Sequence, residues 1–322
     1  VVTLTPAGAI DATYLVADFE RGAFIRASGY TREVSGKGVN LSAAIHLARV
    51  PTAAIVVLGE DDAALAAQSP SAHLLRVVTV PGATRVNTAI VDSSGATTKV
   101  NAPAPPLSAD AWNRAVDRAL GEVREGDWLV LCGTLPDSAG DGHPVDPAGM
   151  FARARERGIR VAVDTSGAGL ARLLERTPGL DLIKPNTAEL AELTGRALAT
   201  IGDASAAARE LLARGLKLAY VSMGADGALA VSADRVVHAI ASPARLGNTA
   251  GAGDASLAGF LVGLGEGSAD PLAAAAARAA AWGAHAVAQN STILPSLDGV
   301  PEAVVALDPD PRSSLTEPAA AR

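Results

Sequence analysis

Residues 247–261 read Gly247-Asn248-Thr249-Ala250-Gly251-Ala252-Gly253-Asp254-Ala255-Ser256-Leu257-Ala258-Gly259-Phe260-Leu261, a glycine-rich turn running directly into an apolar helix. Glycines let the backbone approach a ligand closely, and the free N–H groups of a helix start, with the positive end of its dipole, favour an anion. Asp254 is out of place in a simple anion cradle. It makes sense if the carboxylate takes a proton from an attacking hydroxyl while the amides around Gly251, Ala252 and Gly253 hold the charge that develops on a transferred group. The plainer alternative is a first-turn acid facing the dipole, with glycines for tight packing. Neither common nucleotide fingerprint is present: there is no G-x-x-x-x-G-K-[ST], and Ser256 rather than Gly stands three residues after Gly253.

Working outward, the chain from about residue 106 alternates β-branched runs with alanine-rich helical stretches, the pattern of βαβ units on a parallel sheet covered on both faces. Helices are expected at 108–123, 146–157, 186–193, 203–213, 251–264 and 271–288. Strands are expected at 128–132, 160–164, 182–184, 218–222, 228–232 and 236–240. The N-terminal third differs. Stretches 13–34 and 84–101 alternate apolar and polar residues, with a turn at Asp92-Ser93-Ser94-Gly95, and read as antiparallel strands added to one side of the core. Between them lie a helical run at 41–48 and a buried strand at 53–58. From Asp308 no apolar period is visible, and a frayed terminus is expected. The fold class is therefore α/β.

The chain has 322 residues, 49% hydrophobic and 19% charged, with one Cys, which excludes a disulfide scaffold and a mostly disordered chain. A formal net charge of −7 supplies no basic field for a polyanion, so nucleic acid is not an expected partner. The first residues carry no basic and apolar pair of regions, so no signal peptide is read, and a cytoplasmic location is the default. The longest uncharged stretch near the C-terminus, 279–297, is too polar to span a bilayer, so no membrane segment is expected. The only lysines are Lys37, Lys99, Lys184 and Lys217, which makes a lysine inside a glycine- or proline-marked loop a notable choice.

Lys37 stands in such a loop, Ser35-Gly36-Lys37-Gly38-Val39-Asn40, which suits the hydroxyls or phosphate of a small polar ligand or, more plainly, a strand-to-helix turn capped by Asn40. Lys184 begins Lys184-Pro185-Asn186-Thr187-Ala188-Glu189, where Asn186 and Glu189 have capping-box spacing. Both also offer hard oxygen at a strand end, suited to a hydrated Mg²⁺. Thr84-Arg85-Val86-Asn87 lies on one added strand and Arg26 on the other, each arginine a bidentate fork for phosphate or a solvated surface group. Cys132 reads as a small buried hydrophobe, the five histidines show no zinc spacing, and no G-x-S-x-G elbow occurs.

In this order the elements resemble the PfkB (ribokinase-like) carbohydrate kinase family, in its 1-phosphofructokinase and tagatose-6-phosphate kinase branch. The resemblance runs from Thr5-Pro6-Ala7 and Ile10-Asp11 through Gly36-Lys37-Gly38-Val39-Asn40, Thr84-Arg85-Val86-Asn87, Gly133-Thr134-Leu135-Pro136, Val163-Asp164-Thr165-Ser166-Gly167 and Lys184-Pro185-Asn186. It continues through Val221-Ser222-Met223-Gly224 and Gly227-Ala228-Leu229 to Gly251-Ala252-Gly253-Asp254. The resemblance implies a three-layer α/β/α sandwich with a mainly parallel central sheet and a small β-sheet lid. That places a kinase domain at 1–310, lid segments at about 12–35 and 84–103, and a tail at 311–322.

It further implies ATP-dependent phosphorylation of a ketohexose phosphate, with fructose 1-phosphate converted to fructose 1,6-bisphosphate. Asp254 becomes the general base, and Gly251, Ala252 and Gly253 the anion hole. Asp11, Gly36, Lys37, Gly38, Asn40 and Thr134 would hold sugar hydroxyls, with Arg85, assisted by Arg26, on the substrate phosphate. Lys184, Asn186, Ser222, Gly224, Gly227 and Asn290 would line the nucleotide, and Asn186 with Glu189 would hold Mg²⁺ through water. A monovalent cation near Asn248 and Thr249 and a homodimer through the lid are open under the same resemblance. Rival readings are a kinase of fructose 6-phosphate, tagatose 6-phosphate or an unphosphorylated sugar or nucleoside on the same fold, and a non-catalytic sugar- or nucleotide-binding protein.

Overall fold

The computed structural model describes residues 1–165, 167–177 and 179–320. Ser166 of the Val163–Gly167 motif and the last two residues of the expected tail lie outside the described residues. The chain opens with β1 (Val2–Thr5), β2 (Ala9–Leu15) and β3 (Gly29–Ser35), then α1 (Lys37–Leu47) and β4 (Ala53–Gly59). After α2 (Ala63–Gln68) come β5 (Leu75–Val80), β6 (Val86–Val91) and β7 (Thr97–Asn101). Helix and strand then alternate through α3 (Ala109–Glu122), β8 (Trp128–Cys132), α4 (Ala148–Glu156), β9 (Arg160–Asp164), α5 (Gly167–Arg176), β10 (Leu182–Ile183) and α6 (Thr187–Thr194). Next are β11 (Leu198–Thr200), α7 (Ile201–Ala213), β12 (Leu218–Ser222), β13 (Ala228–Val231) and β14 (Val236–Ile240). Two longer helices, α8 (Ala252–Gly265) and α9 (Pro271–Val287), precede β15 (Val304–Leu307) and β16 (Ser314–Ala319).

Among the described residues the main sheet runs β15-β14-β13-β12-β10-β9-β8-β1-β4-β5. From β12 to β5 the strands are parallel, and β13, β14 and β15 add an antiparallel edge. Side-chain alternation divides the core. Leu129 and Leu131 of β8 point into a cluster with α3, α4 and α7, while Trp128, Val130 and Cys132 point into one with α1, α8 and α9. The result is the expected α/β/α sandwich. β1 lies between β4 and β8, so successive strands depart in opposite directions from it. Such a switch point opens a crevice at the carboxyl ends of the strands, which here are Thr5, Cys132 and Asp164.

The small sheet runs β3-β2-β6-β7. The Asp92–Gly95 turn joins β6 to β7 as read, with Gly95 N–H bonded to Asp92 O at 3.0 Å. Two expectations need correction. The added strands are not all antiparallel, because β2 and β6 pair in parallel; both enter the lid from the core at the same end, where Ile10 N–H meets Arg85 O at 2.9 Å. Arg26 is not on a strand but in the exposed connection between β2 and β3, its guanidinium 5.2 Å from the ring centre of Phe24.

The described tail is not frayed. β15 edges the main sheet, and β16 pairs antiparallel with β11 and buries Leu315. The sequence reading includes neither of these strands, nor β1 or β5, although β1 occupies the middle of the sheet.

Candidate active site

The start of α8 is set by Gly251, its N-cap, at φ 80°. A methyl group there would lie 2.1 Å from Thr292 O, so both backbone conformation and space require glycine. Ala252, Gly253 and Asp254 form the first turn, and Asp254 is only 7% exposed. Its Oδ2 accepts a 2.8 Å hydrogen bond from Asn40 Nδ2. Asn40 and Lys37 come from the first turn of α1, which lies tight on β1: Thr3 Oγ1 donates to Gly38 O at 2.9 Å and Gly38 N–H to Thr5 Oγ1 at 3.2 Å.

Asp164 ends β9 and is 1% exposed. Its Oδ1 accepts from Lys37 Nζ at 2.8 Å and faces Lys184 Nζ at 3.5 Å. Lys184, itself buried, also stands over the start of α8, since a methyl at Gly253 would be 3.5 Å from its Nζ. Two carboxylates and two ammonium groups thus share one cluster, buried except for the half-exposed Lys37. The lysines bond Asp164, and Asp254 is left with the amide of Asn40.

This asymmetry separates the two acids. Burial pushes the Asp254 carboxyl up, the negative Asp164 adds to the push, and Lys37, Asn40 and Lys184 offset only part of it, leaving a pKa of about 6. Burial also pushes Asp164 up, but Lys184 and Lys37 outweigh it and hold that carboxyl below its ordinary range. Burial opposes the charge on Lys37, and Asp164 and Asp254 more than restore it. A carboxylate poised near neutrality is suited to general-base work. Asn40 Oδ1 and Asp164 Oδ2 are buried acceptors with no partner among the described residues, a demand that hydroxyl groups of a ligand would meet.

In the lid, the parallel register sets Asp11 beside Asn87, whose Nδ2 donates to Asp11 Oδ1 at 3.0 Å. Asn87 Oδ1 is a further unpartnered buried acceptor among the described residues. Arg85 is half-buried, and its fork is spread over backbone carbonyls: Nη2 to Ala7 O at 3.0 Å, Nε to Gly8 O at 3.3 Å and Nη1 to Ala102 O at 3.3 Å. Burial lowers its pKa and Asp11 partly offsets this. Thr134 is exposed just beyond the end of β8.

On the other side, Asn186 and Glu189 form the capping box of α6, each side chain accepting from the other's backbone N–H at 2.8 Å. Asn186 is exposed and Glu189 half-buried, so the second carboxylate oxygen of Glu189 and the rest of the Asn186 amide remain for an outer-sphere metal contact. Among the described residues no group of three or more His, Cys, Asp or Glu is placed to hold a metal ion. Ser222 bridges to Asn186, and its N–H bonds Pro185 O at 3.0 Å, so the Ser222–Gly227 turn adjoins Lys184–Asn186. Asn290 lies past the end of α9, in the segment that packs on the 247–251 turn through Asn248 N–H to Gln289 O at 3.1 Å, and its Oδ1 accepts from Arg245 Nη2 at 2.9 Å. Cys132 is buried, and burial raises its thiol, so it is no nucleophile.

The structure therefore gathers Lys37, Asn40, Lys184, Gly253 and Asp254 at one point. The sequence reading assigns no role to two site residues, Asn87 and Asp164; the signal for Asp164 is an acid closing the β-branched run at 160–164, at a strand end where ligands of α/β sheets collect.

The pfkB family carbohydrate kinase model matches residues 7–298. The 1-phosphofructokinase of Rhodobacter capsulatus is 38% identical over 267 residues, 81% of this chain and 82% of that one. The crystal structure of phosphofructokinase-2 from Escherichia coli in complex with potassium superposes with a TM-score of 0.81 at 27% identity, covering 92% of this chain and 96% of that one. Ribokinase from Thermotoga maritima, at 21% identity and a TM-score of 0.69, shares the fold, covering 93% of this chain and 97% of its own.

Proposed function

The chain belongs to the pfkB family of carbohydrate kinases, and we propose that it transfers the γ-phosphoryl group of MgATP to fructose 1-phosphate, giving fructose 1,6-bisphosphate. The observation that carries this reading is the separation of the two buried acids, with Asp254 raised to about 6 beside the Gly253 turn and Lys184. Asp254 takes the proton of the attacking sugar hydroxyl. The first-turn amides of α8 and the Lys184 ammonium meet the charge that spreads over the transferred group. Asp164, kept ionised by its two lysines, fixes Lys37 and Lys184 in place.

Asp11, Asn87 and Asn40, with their paired and spare amide and carboxylate groups, suit the sugar hydroxyls, and Arg85 with Arg26 suits the acceptor's phosphate. Asn186 and Glu189 would hold Mg²⁺ through water, and the ion would neutralise polyphosphate charge. A monovalent cation beside Asn248 and Thr249 belongs to the same reading, since the E. coli relative is seen with potassium. So does a homodimer through the lid, which exposes Tyr14, Leu15, Tyr30 and Val100. A cytoplasmic setting suits an ATP-dependent enzyme; among the described residues no helix is long and apolar enough to cross a membrane.

The test is ADP release from MgATP against fructose 1-phosphate, fructose 6-phosphate, tagatose 6-phosphate, fructose, ribose and adenosine, with Asp254→Asn protein alongside. Turnover on fructose 1-phosphate that depends on Asp254 is the expected result; turnover confined to an unphosphorylated acceptor overturns the substrate assignment.

A further inference from the structure

The lid rises from the β1 side of the crevice, at residues 8 and 85. If Asp254 and Lys184 mark the point of transfer, the nucleoside of the donor extends the other way, over the ends of β10 and β12, to the turn that starts at Ser222. A segment beyond the family match, which ends at residue 298, closes on this turn. β16 is held to β11 through Leu198↔Ala319 and Thr200↔Ser314, and Ile201 N–H bonds Ser313 O at 2.9 Å.

The docking point is Asp226, a carboxylate only 9% exposed. Its Oδ2 accepts from Thr316 N–H at 2.8 Å and Glu317 N–H at 3.3 Å, and its Oδ1 from Thr316 Oγ1 at 2.6 Å. Asp226 N–H in turn bonds Met223 O at 2.9 Å, so strand and turn are one rigid unit. This anchor fixes where Glu317 goes. A methyl at Gly224, which has φ 56°, would lie 2.7 Å from Glu317 Oε2, so the carboxylate lies directly on the turn while remaining exposed to solvent.

We propose that Glu317 is a nucleotide-specificity residue whose carboxylate accepts hydrogen bonds from the ribose hydroxyls of the donor. This rests on the kinase reading above. A carboxylate is acceptor-only, which suits a vicinal diol and is repelled by a polyphosphate, so an acid at this place belongs to the nucleoside end of the ligand. Asp226 and Thr316 act through Glu317 as positioning residues.

The experiment is calorimetric titration of the unaltered protein and of Glu317→Ala and Glu317→Gln with MgADP, 2′-deoxy-ADP and IDP, together with steady-state kinetics. The unaltered protein is expected to bind ADP about 10-fold more tightly than 2′-deoxy-ADP, and both variants to lose that preference through weaker ADP binding. KM for ATP rises in the variants, while kcat and KM for the sugar phosphate stay as they were; a structural role would move both KM values and Tm together. An ADP to 2′-deoxy-ADP ratio unchanged in the variants, or a change confined to ADP against IDP, overturns the assignment of Glu317 to the ribose. Absence of ADP binding by the unaltered protein overturns the kinase reading itself.

Discussion

Asn40 and Asp254, 214 positions apart in sequence, meet in a 2.8 Å hydrogen bond that joins the first turn of α1 to the first turn of α8. The bond fixes the carboxylate's orientation without cancelling its charge. Asp254 therefore keeps its basicity. Asp254→Asn retains the shape of the site and is expected to lower kcat by about 10²–10⁴-fold. Because burial and Asp164 disfavour the charged form, the same neutral variant should be more stable than the parent at pH 8, seen as a higher Tm. Near-parental turnover would remove Asp254 from the role of base.

The pH dependence follows from the same group. The folded pKa of about 6 lies above the ordinary value of 3.8, so the ionised base, and with it kcat, is lost as pH falls through about 6. The stability advantage of Asp254→Asn should be full above about pH 6 and vanish below the unfolded value of 3.8. Lys37 is among the groups that favour the ionised form, so Lys37→Met is expected to move the acid limb of kcat to higher pH. A limb that stays in place, or moves down, contradicts the electrostatic account of the cluster.

Two glycines two residues apart should behave oppositely. Gly251→Ala meets Thr292 O at 2.1 Å and a φ of 80°, so it should cost about 1–3 kcal/mol of stability. At Gly253 the nearest atom to a new methyl is Lys184 Nζ at 3.5 Å, an ordinary contact, and the residue is helical. Gly253→Ala should fold with an unchanged Tm and lose at least about 10-fold in kcat, because the methyl stands between the ammonium and the helix amides that receive the transferred group. Thermal melts and turnover on the two variants separate a glycine needed by the fold from one needed by the chemistry.

What the sequence made legible follows from the range of the interactions involved. The turn at 247–254, the cap pair Asn186–Glu189 and the six helices expected between 108 and 288 are local, and their boundaries in the structure differ by a few residues at most, whereas α5 is not among the expected helices. Asp164 was quoted within a motif but given no role, because its importance lies in Lys37, 127 positions away, and in Lys184 on the neighbouring strand end. The parallel pairing of β2 with β6 depends on where both strands leave the core, which alternation cannot express. β16 was missed because its stability comes from β11 and from the buried Asp226, not from its own pattern.

Arg85 tests how substrate binding and lid position are connected. Its guanidinium donates to Ala7, Gly8 and Ala102, carbonyls at the places where the chain passes between core and lid, and Asp11 is close enough to influence its charge. A phosphate arriving at this fork must draw on donors that now hold the hinge, so binding and lid placement share one group. Arg85→Ala should raise KM for fructose 1-phosphate at least about 10-fold with a smaller change in kcat, since a phosphate clamp contributes mainly uniform binding. It should also lower stability by about 1–3 kcal/mol, because the carbonyls of buried Ala7 and Gly8 and half-buried Ala102 lose their donors. Arg85→Lys separates the two roles: a lysine restores the charge but cannot span three carbonyls, so KM should recover more than Tm does. A parental KM in Arg85→Ala together with a lowered Tm would assign Arg85 to the hinge alone and leave the phosphate to Arg26.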